Sequence, residues 1–129
     1  MIKVGLIGFS KFNGHPFSFS GIINGINESY FKKNAGWPYI YSYLKKNKKK
    51  LKFKKMRVSH VWTQNIRITK KISKSCLIEN ICSNPKQMIN KLDAIIIARD
   101  VWKSHYKIAI PFLKKKIPTF IDKPLTLNN

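Results

Sequence analysis

The opening sixteen residues, Met1–Pro16, constrain the fold more than any other stretch of this chain. Ile2, Val4, Leu6 and Ile7 form a short aliphatic run that stops at Gly8, and a loop rich in glycine, serine and asparagine leads on into an apolar helical pattern. The order is strand, tight turn, helix. In doubly wound α/β proteins this first turn receives the pyrophosphate of a dinucleotide, because backbone N–H groups and the positive end of the helix dipole converge on the anion. Read as G-x-G-x-x-G from Gly8, the second glycine position holds Ser10 and the third Asn13. A glycine arrives one residue late, at Gly14. Serine and asparagine are small and turn-tolerant, so the backbone can still approach a phosphate. An ordinary βα turn with no ligand stays open at this point.

The remaining chain repeats the alternation. Ser18 or Ser20 is the expected N-cap of the first helix, with Phe19, Ile22, Ile23 and Ile26 on its apolar face. Residues 28–55 are expected to form a helical insertion of one or two short helices, aromatic at first and lysine-rich at its end. Residues 56–62 make the second strand, 65–75 a helix with Ile68, Ile72 and Cys76 buried, and 77–82 a third strand. Pro85 stands at the first position of a helix capped by Ser83 or Asn84 and buried through Met88, Ile89 and Leu92. The continuous run Ala94–Ala98 suits the centre of a parallel sheet covered on both faces. A last helix presents Trp102, Tyr106, Ala109, Leu113 and Ile117, with Pro111 inside the pattern, before a fifth strand at 118–121. The expected fold is α/β, a doubly wound and mostly parallel sheet in three α/β/α layers, forming a single domain over residues 1–129.

Composition narrows the function classes. With 43% apolar and 12% aromatic residues the chain can bury a core, and no apolar run approaches the roughly 18 residues of a membrane span. The first residues lack the pattern of a secretory signal, so the cytoplasm is the expected compartment. Cys76 and Cys82 have no metal spacing and read as reduced, buried thiols; no metal site is expected. The net charge of +21 raises a polyanion partner as a second reading, with eight lysines between Lys45 and Lys55 as its candidate surface. Against nucleic acid stands the make-up of that charge: 23 lysines and only three arginines, the residue suited to bidentate contacts. His60, inside the second strand, reads as a structural histidine.

The glycine-containing first turn, the strand Ala94–Ala98 followed by His105, and above all Ile117-Pro-Thr-Phe-Ile-Asp-Lys-Pro-Leu125 resemble the N-terminal domain of the Gfo/Idh/MocA oxidoreductases, which include glucose-fructose oxidoreductase and inositol dehydrogenase. The resemblance spans essentially the whole chain. It implies a Rossmann domain for NAD or NADP, joined in the family to a larger α/β domain that binds a sugar-like substrate. The family's closing Glu-Lys-Pro is matched by Asp122-Lys123-Pro124. By position, Lys123 is the implied catalytic residue, an ammonium that stabilises the alkoxide formed during hydride transfer. Gly8, Ser10, Asn13 and Gly14 match the pyrophosphate turn, while Thr63, Gln64, Arg99, Asp122 and Pro124 complete the implied cofactor site; His15 and His105 are placed at its mouth. Three departures stand out. Trp62-Thr63-Gln64-Asn65 lacks the acid that bonds the ribose of NAD, and Arg67 nearby tilts the reading towards NADP. Arg99-Asp100 puts a charged pair where the family has small residues and proline. The sequence ends at Asn129, so a sugar-like partner is expected only if a second domain or chain supplies the rest, and the piece is expected to be truncated and inactive alone; a decayed fragment without activity is a further alternative.

Overall fold

A computed structural model describes residues 1–128. Five strands, β1 (Ile2–Ile7), β2 (Met56–Trp62), β3 (Asn80–Ile81), β4 (Ala94–Ile97) and β5 (Thr119–Ile121), form one sheet in the order β3-β2-β1-β4-β5. Every pairing is parallel. Five α-helices connect them: α1 (His15–Asn24), α2 (Glu28–Asn34), α3 (Pro38–Lys46), α4 (Ile66–Ser75) and α5 (His105–Lys114). Strand order reverses at β1, whose neighbours are β2 on one side and β4 on the other. The loops that leave β1 and β4 therefore diverge and open a crevice at the carboxyl ends of these strands.

Because side chains alternate across a strand, the sheet carries two cores. Val4, Leu6, Val58 and Val61 face Phe17 and Ile23 of α1 and Ile72 of α4. Ile7, Ile95 and Ile97 face Ala109 and Phe112 of α5, together with Met88. Each fully buried side chain of this size contributes about 1.5–3 kcal/mol relative to exposure. This is the three-layer arrangement expected of the sequence.

Several boundaries move. Helix α1 starts at His15, ahead of the expected Ser18 or Ser20 cap, with Gly14 as N-cap and Pro16 in its first turn. Proline fits there because its missing N–H would have no helical partner and its φ is already helical. The earlier start shifts the buried face: Phe17 is buried, and Phe19, Ile22 and Ile26 pack only partly against the core. Segment 28–55 holds α2 and α3, and it is part of the core. Phe31, Ala35 and Leu44 are buried, and the Phe31 ring meets Phe17 edge-on at 5.9 Å.

Strand β3 shrinks to two residues at the sheet edge, after Leu77 adopts a left-handed φ of 56°. The helix expected from Pro85 is a single 3-10 turn, Pro85–Met88; the Asn84 side chain accepts from the Lys86 amide, and Asn90 at φ 68° turns the chain into β4. The twelve residues between β3 and β4 hold that 3-10 turn and no α-helix. In α5 the buried stripe is His105, Ala109 and Phe112, whereas Tyr106 and Leu113 are exposed. Both cysteines are free and buried, and burial pushes both thiols up in pKa. Among the described residues no helix is long and apolar enough to cross a membrane.

Candidate functional site

The loop after β1 is shaped by its two glycines. Gly8 adopts φ +89°, a region that L side chains rarely occupy, and a Cβ there would lie 3.0 Å from Cδ of Arg99. Gly14 is small for another reason: a Cβ would come within 2.4 Å of Ile40 of α3 and 3.0 Å of the Trp37 ring. The late glycine thus lets α3 pack against the start of α1. Between them Phe12 takes φ 66°, and Asn13 closes the turn with its amide on the Ser10 carbonyl at 3.1 Å. Among the described residues the amides of Lys11, Phe12 and Gly14 have no acceptor within the chain. Unpaired donors at the start of a ten-residue helix are the elements of an anion site.

Three other loops meet this turn at the carboxyl ends of the strands. After β2, Gln64 exchanges two hydrogen bonds with the Phe9 backbone, accepting from its amide at 3.2 Å and donating to its carbonyl. Thr63 is buried, with its hydroxyl on the Asn65 carbonyl at 2.8 Å and against Thr69. Both side chains lock the loop after β2 to itself and to the first turn. After β4, Asp100 accepts from the Ser10 hydroxyl at 2.5 Å, and its amide donates back to that oxygen at 3.2 Å. Arg99 packs its stem on Gly8, and its Nε is buried with no hydrogen-bond partner among the described residues. A buried guanidinium nitrogen without an acceptor is costly unless another group supplies one.

After β5, Asp122 is almost fully buried and accepts three hydrogen bonds: from Asn13 Nδ2 at 3.0 Å, His15 Nδ1 at 2.6 Å and the Lys123 amide at 3.0 Å. Burial alone would raise its pKa, but the bonds from His15 and Asn13 outweigh it, and the carboxyl is held below the usual carboxylate range. Asn13 also receives the His15 amide on its Oδ1 at 2.9 Å. Lys123 follows, exposed, and the Lys123–Pro124 peptide is cis. His105 is buried, with Nε2 2.5 Å from the Arg99 carbonyl and Nδ1 3.2 Å from that of Leu125. It ties the loop after β4 to the segment behind Pro124 and does not stand free at a mouth. His60 lies within β2, its Nδ1 2.9 Å from the Ser59 hydroxyl; burial and the nearby Lys91 and Lys3 hold its pKa down.

The fold therefore brings Gly8, Ser10, Asn13, Gly14, His15, Gln64, Arg99, Asp122 and Lys123 to the carboxyl ends of the strands around the β1–β4 crevice. What the sequence did not disclose is the role of the acids. Two of only five acidic residues, Asp100 and Asp122, bond side chains of the first turn, and their scarcity in a chain of net charge +21 was the available signal. The lysine run lies elsewhere, at the amino-terminal ends of the strands. There Lys45, Lys48, Lys52 and Lys54 share a cavity of about 510 Å³ with Met1, Glu28, Leu44 and Phe53.

Comparison with known proteins agrees with this geometry. Residues 35–129 match the family model described as the oxidoreductase family with an NAD-binding Rossmann fold, GFO_IDH_MocA. Nothing among the curated proteins matches. Similar solved structures include a probable dehydrogenase from Thermotoga maritima (TM-score 0.63, 15% identity) and an apo scyllo-inositol dehydrogenase from Lactobacillus casei (0.63, 15%). A Gfo/Idh/MocA family oxidoreductase from Vibrio cholerae is also similar (0.57, 20%). They cover 98%, 99% and 98% of this chain, which in turn spans only 29%, 30% and 31% of theirs. At such identities the likeness shows the fold, and the family match, covering most of the chain, supplies the membership. The chain belongs to the Gfo/Idh/MocA oxidoreductases, of which it forms the NAD-binding Rossmann part.

Proposed function

We propose that this chain holds the nicotinamide dinucleotide of an oxidoreductase acting on a secondary hydroxyl of a sugar or polyol. The carrying observation is the orphaned, buried Nε of Arg99 packed on Gly8 at the crevice, beside a turn with unpaired amides. A pyrophosphate oxygen would supply the missing acceptor. Gly8, Ser10, Asn13 and Gly14 shape the turn that receives the phosphates, and Asp122 fixes the backbone from which Lys123 extends. The bound ring supplies hydride transfer; Lys123, an ammonium at the end of β5, stabilises the oxygen on which negative charge develops. The remaining substrate contacts come from a second domain or another chain, in keeping with the 29–31% of its structural neighbours that this chain spans.

The preferred cofactor is NADP(H). No carboxylate ends β2, Thr63 and Gln64 are engaged by the protein itself, and Arg67 is exposed at the first turn of α4. A hollow of about 320 Å³ beside β2, lined by Trp62, Asn84, Pro85, Lys86, Arg99 and Lys107 among others, has three cations and no acid on its wall. A 2′-phosphate is welcome there and the bare ribose of NAD finds no acceptor.

Calorimetry with NADPH and NADH tests the reading. NADPH is expected to bind about tenfold or more tightly than NADH, and Arg99→Met to weaken both by about tenfold, one charge-assisted hydrogen bond's worth. If neither cofactor binds at millimolar concentration, while an oligonucleotide binds with steep salt dependence, the lysine surface is the functional one and the dinucleotide reading falls.

A further inference from the structure

The cavity of about 510 Å³ at the amino-terminal ends of the strands combines two features that seldom occur together on a solvated surface. Its base is apolar: buried Leu44 and the bare backbone of Gly21 and Gly25 line it, with Leu51, Phe53 and Leu77 on its walls. Phe53 and Leu77 are each 47% exposed, so this apolar surface is only half covered by the protein itself. A smaller hollow of about 240 Å³ shares Met1, Asn24, Lys52, Phe53 and Leu77 with it, and the two run together as one trough. The main cavity falls within the roughly 300–1,000 Å³ of small-molecule sites.

The second feature is charge. Lys45, Lys48, Lys52 and Lys54 line the cavity against a single acid, Glu28, which Lys48 engages at 2.5 Å. Lys52 and Lys54 have no carboxylate partner among the described residues. The carboxyl ends of α1 and α3 offer about half a negative charge each, which leaves the cations in excess. Nor is this stretch a loose tail. The Lys52 and Phe53 amides donate to the Ile22 and Ile23 carbonyls at 3.0 and 2.9 Å, pinning the lysine run to the last turn of α1. Lys52 holds a left-handed φ of 68°, a conformation that a residue with a side chain keeps only where its surroundings impose it. Its stem lies against Gly25, whose missing Cβ would stand 4.0 Å from it.

We propose that this trough binds a free acyl anion, with the carboxylate between Lys52 and Lys54 and the chain laid along Leu51, Phe53 and Leu77. An anionic head with an apolar tail answers both the unpaired ammoniums and the half-covered apolar wall. A flat bilayer would leave the trough unfilled, and a nucleic acid strand would gain nothing from its aliphatic side chains. The site is remote from the cofactor turn, so its fate and that of the dinucleotide reading are separate.

The test records ¹H–¹⁵N spectra of the 129-residue chain with octanoate, decanoate and dodecanoate below their micelle concentrations. Saturable shifts are expected on residues 21–26, 44–54 and 77, with affinity rising up to about fourfold per added methylene. Acetate, which has the head alone, and dodecyltrimethylammonium, which has the tail with the opposite charge, should leave those residues unmoved. A net charge of +21 attracts any anion, so the control is a variant of equal charge. Lys52→Glu with Lys54→Glu should weaken dodecanoate at least about tenfold, while Lys114→Glu with Lys115→Glu, exposed at the end of α5, should change it by less than about twofold. Equal weakening by the two pairs, shifts scattered over other lysines, affinity indifferent to chain length, or no saturation at millimolar dodecanoate overturns the proposal. So does tighter binding of an oligonucleotide to residues 45–55, or cosedimentation with phosphatidylglycerol vesicles when dodecanoate moves nothing. Should the first pair not fold, the shift map and the chain-length series in the unaltered chain decide.

Discussion

At the scale of single residues, position 8 shows how little latitude the site allows. Gly8→Ala places a Cβ 3.0 Å from Arg99 at a φ of +89°, and about 1–3 kcal/mol of stability should be lost, read as a lower urea midpoint. Asp122 makes a different prediction. Its pKa is lower in the folded than in the unfolded chain, so the folded state resists protonation and the contribution is complete above the ordinary carboxylate value of about 4. As pH falls through the folded pKa, that contribution disappears. Thermal melts should show stability dropping on acidification below about pH 4, and Asp122→Asn should flatten the drop while lowering the plateau. Gly8, Ser10, Asn13, Gly14 and the closing Asp-Lys-Pro could all be picked out in the sequence, because each belongs to a local pattern. The pairing of His15 with Asp122 could not: 107 residues separate them, and no periodicity links positions that only the sheet brings together.

Elements were legible in proportion to how local their causes are. Strands β1 and β2 fall where their aliphatic and alternating runs place them, from Ile2 to Ile7 and from Met56 to Trp62. Helix α5 lies where the pattern puts it, with Ala109 inward as expected but Tyr106 and Leu113 turned outward. Bulky Trp102, Tyr106 and Leu113 suggested the inner face, yet the helix begins at His105 and its 3.6-residue period turns His105, Ala109 and Phe112 inward. The ring nitrogens of His105 lie against the carbonyls of Arg99 and Leu125, and the hydrogen bond its N–H donates there rewards burying a histidine that hydrophobicity alone would leave outside. The segment 28–55 offers the sharpest element-level prediction. Leu44 of α3 is 2% exposed and touches the core through α1, so Leu44→Ala should cost about 2–5 kcal/mol in urea unfolding. A loss below about 0.5 kcal/mol, typical of surface positions, would show that α3 is a mere appendage.

For the whole molecule, charge is the dominant variable. With +21 on 129 residues, repulsion between exposed lysines opposes the compact state, and the three ion pairs among the described residues include only two with permanently charged cations, Lys48–Glu28 and Arg57–Glu79. Raising sodium chloride from about 10 to about 200 mM shortens the screening length from about 30 Å to under 10 Å, so Tm should rise over that range. Sulfate, which also acts by exclusion, should raise it further. The doubly wound architecture was readable because strand and helix alternate along the entire chain. The location of the lysine run was not, since eight lysines within residues 45–55 say nothing about which end of the sheet they occupy. They prove to sit opposite the crevice, around which Lys11, Arg99 and Lys123 stand on the loops after β1, β4 and β5.

The bond from Asn13 to Asp122 has a bearing on how the molecule is made. When the opening turn leaves the ribosome, the carboxylate that will lock it has still to be synthesised, 109 positions later. Until β5 docks beside β4, the side chains of Asn13 and His15 lack their shared carboxylate, while Gln64 and Asp100 already hold Phe9 and Ser10. A nascent piece released short of Asp122 should therefore carry an opening turn whose Asn13 and His15 side chains lack the partner that the finished sheet supplies.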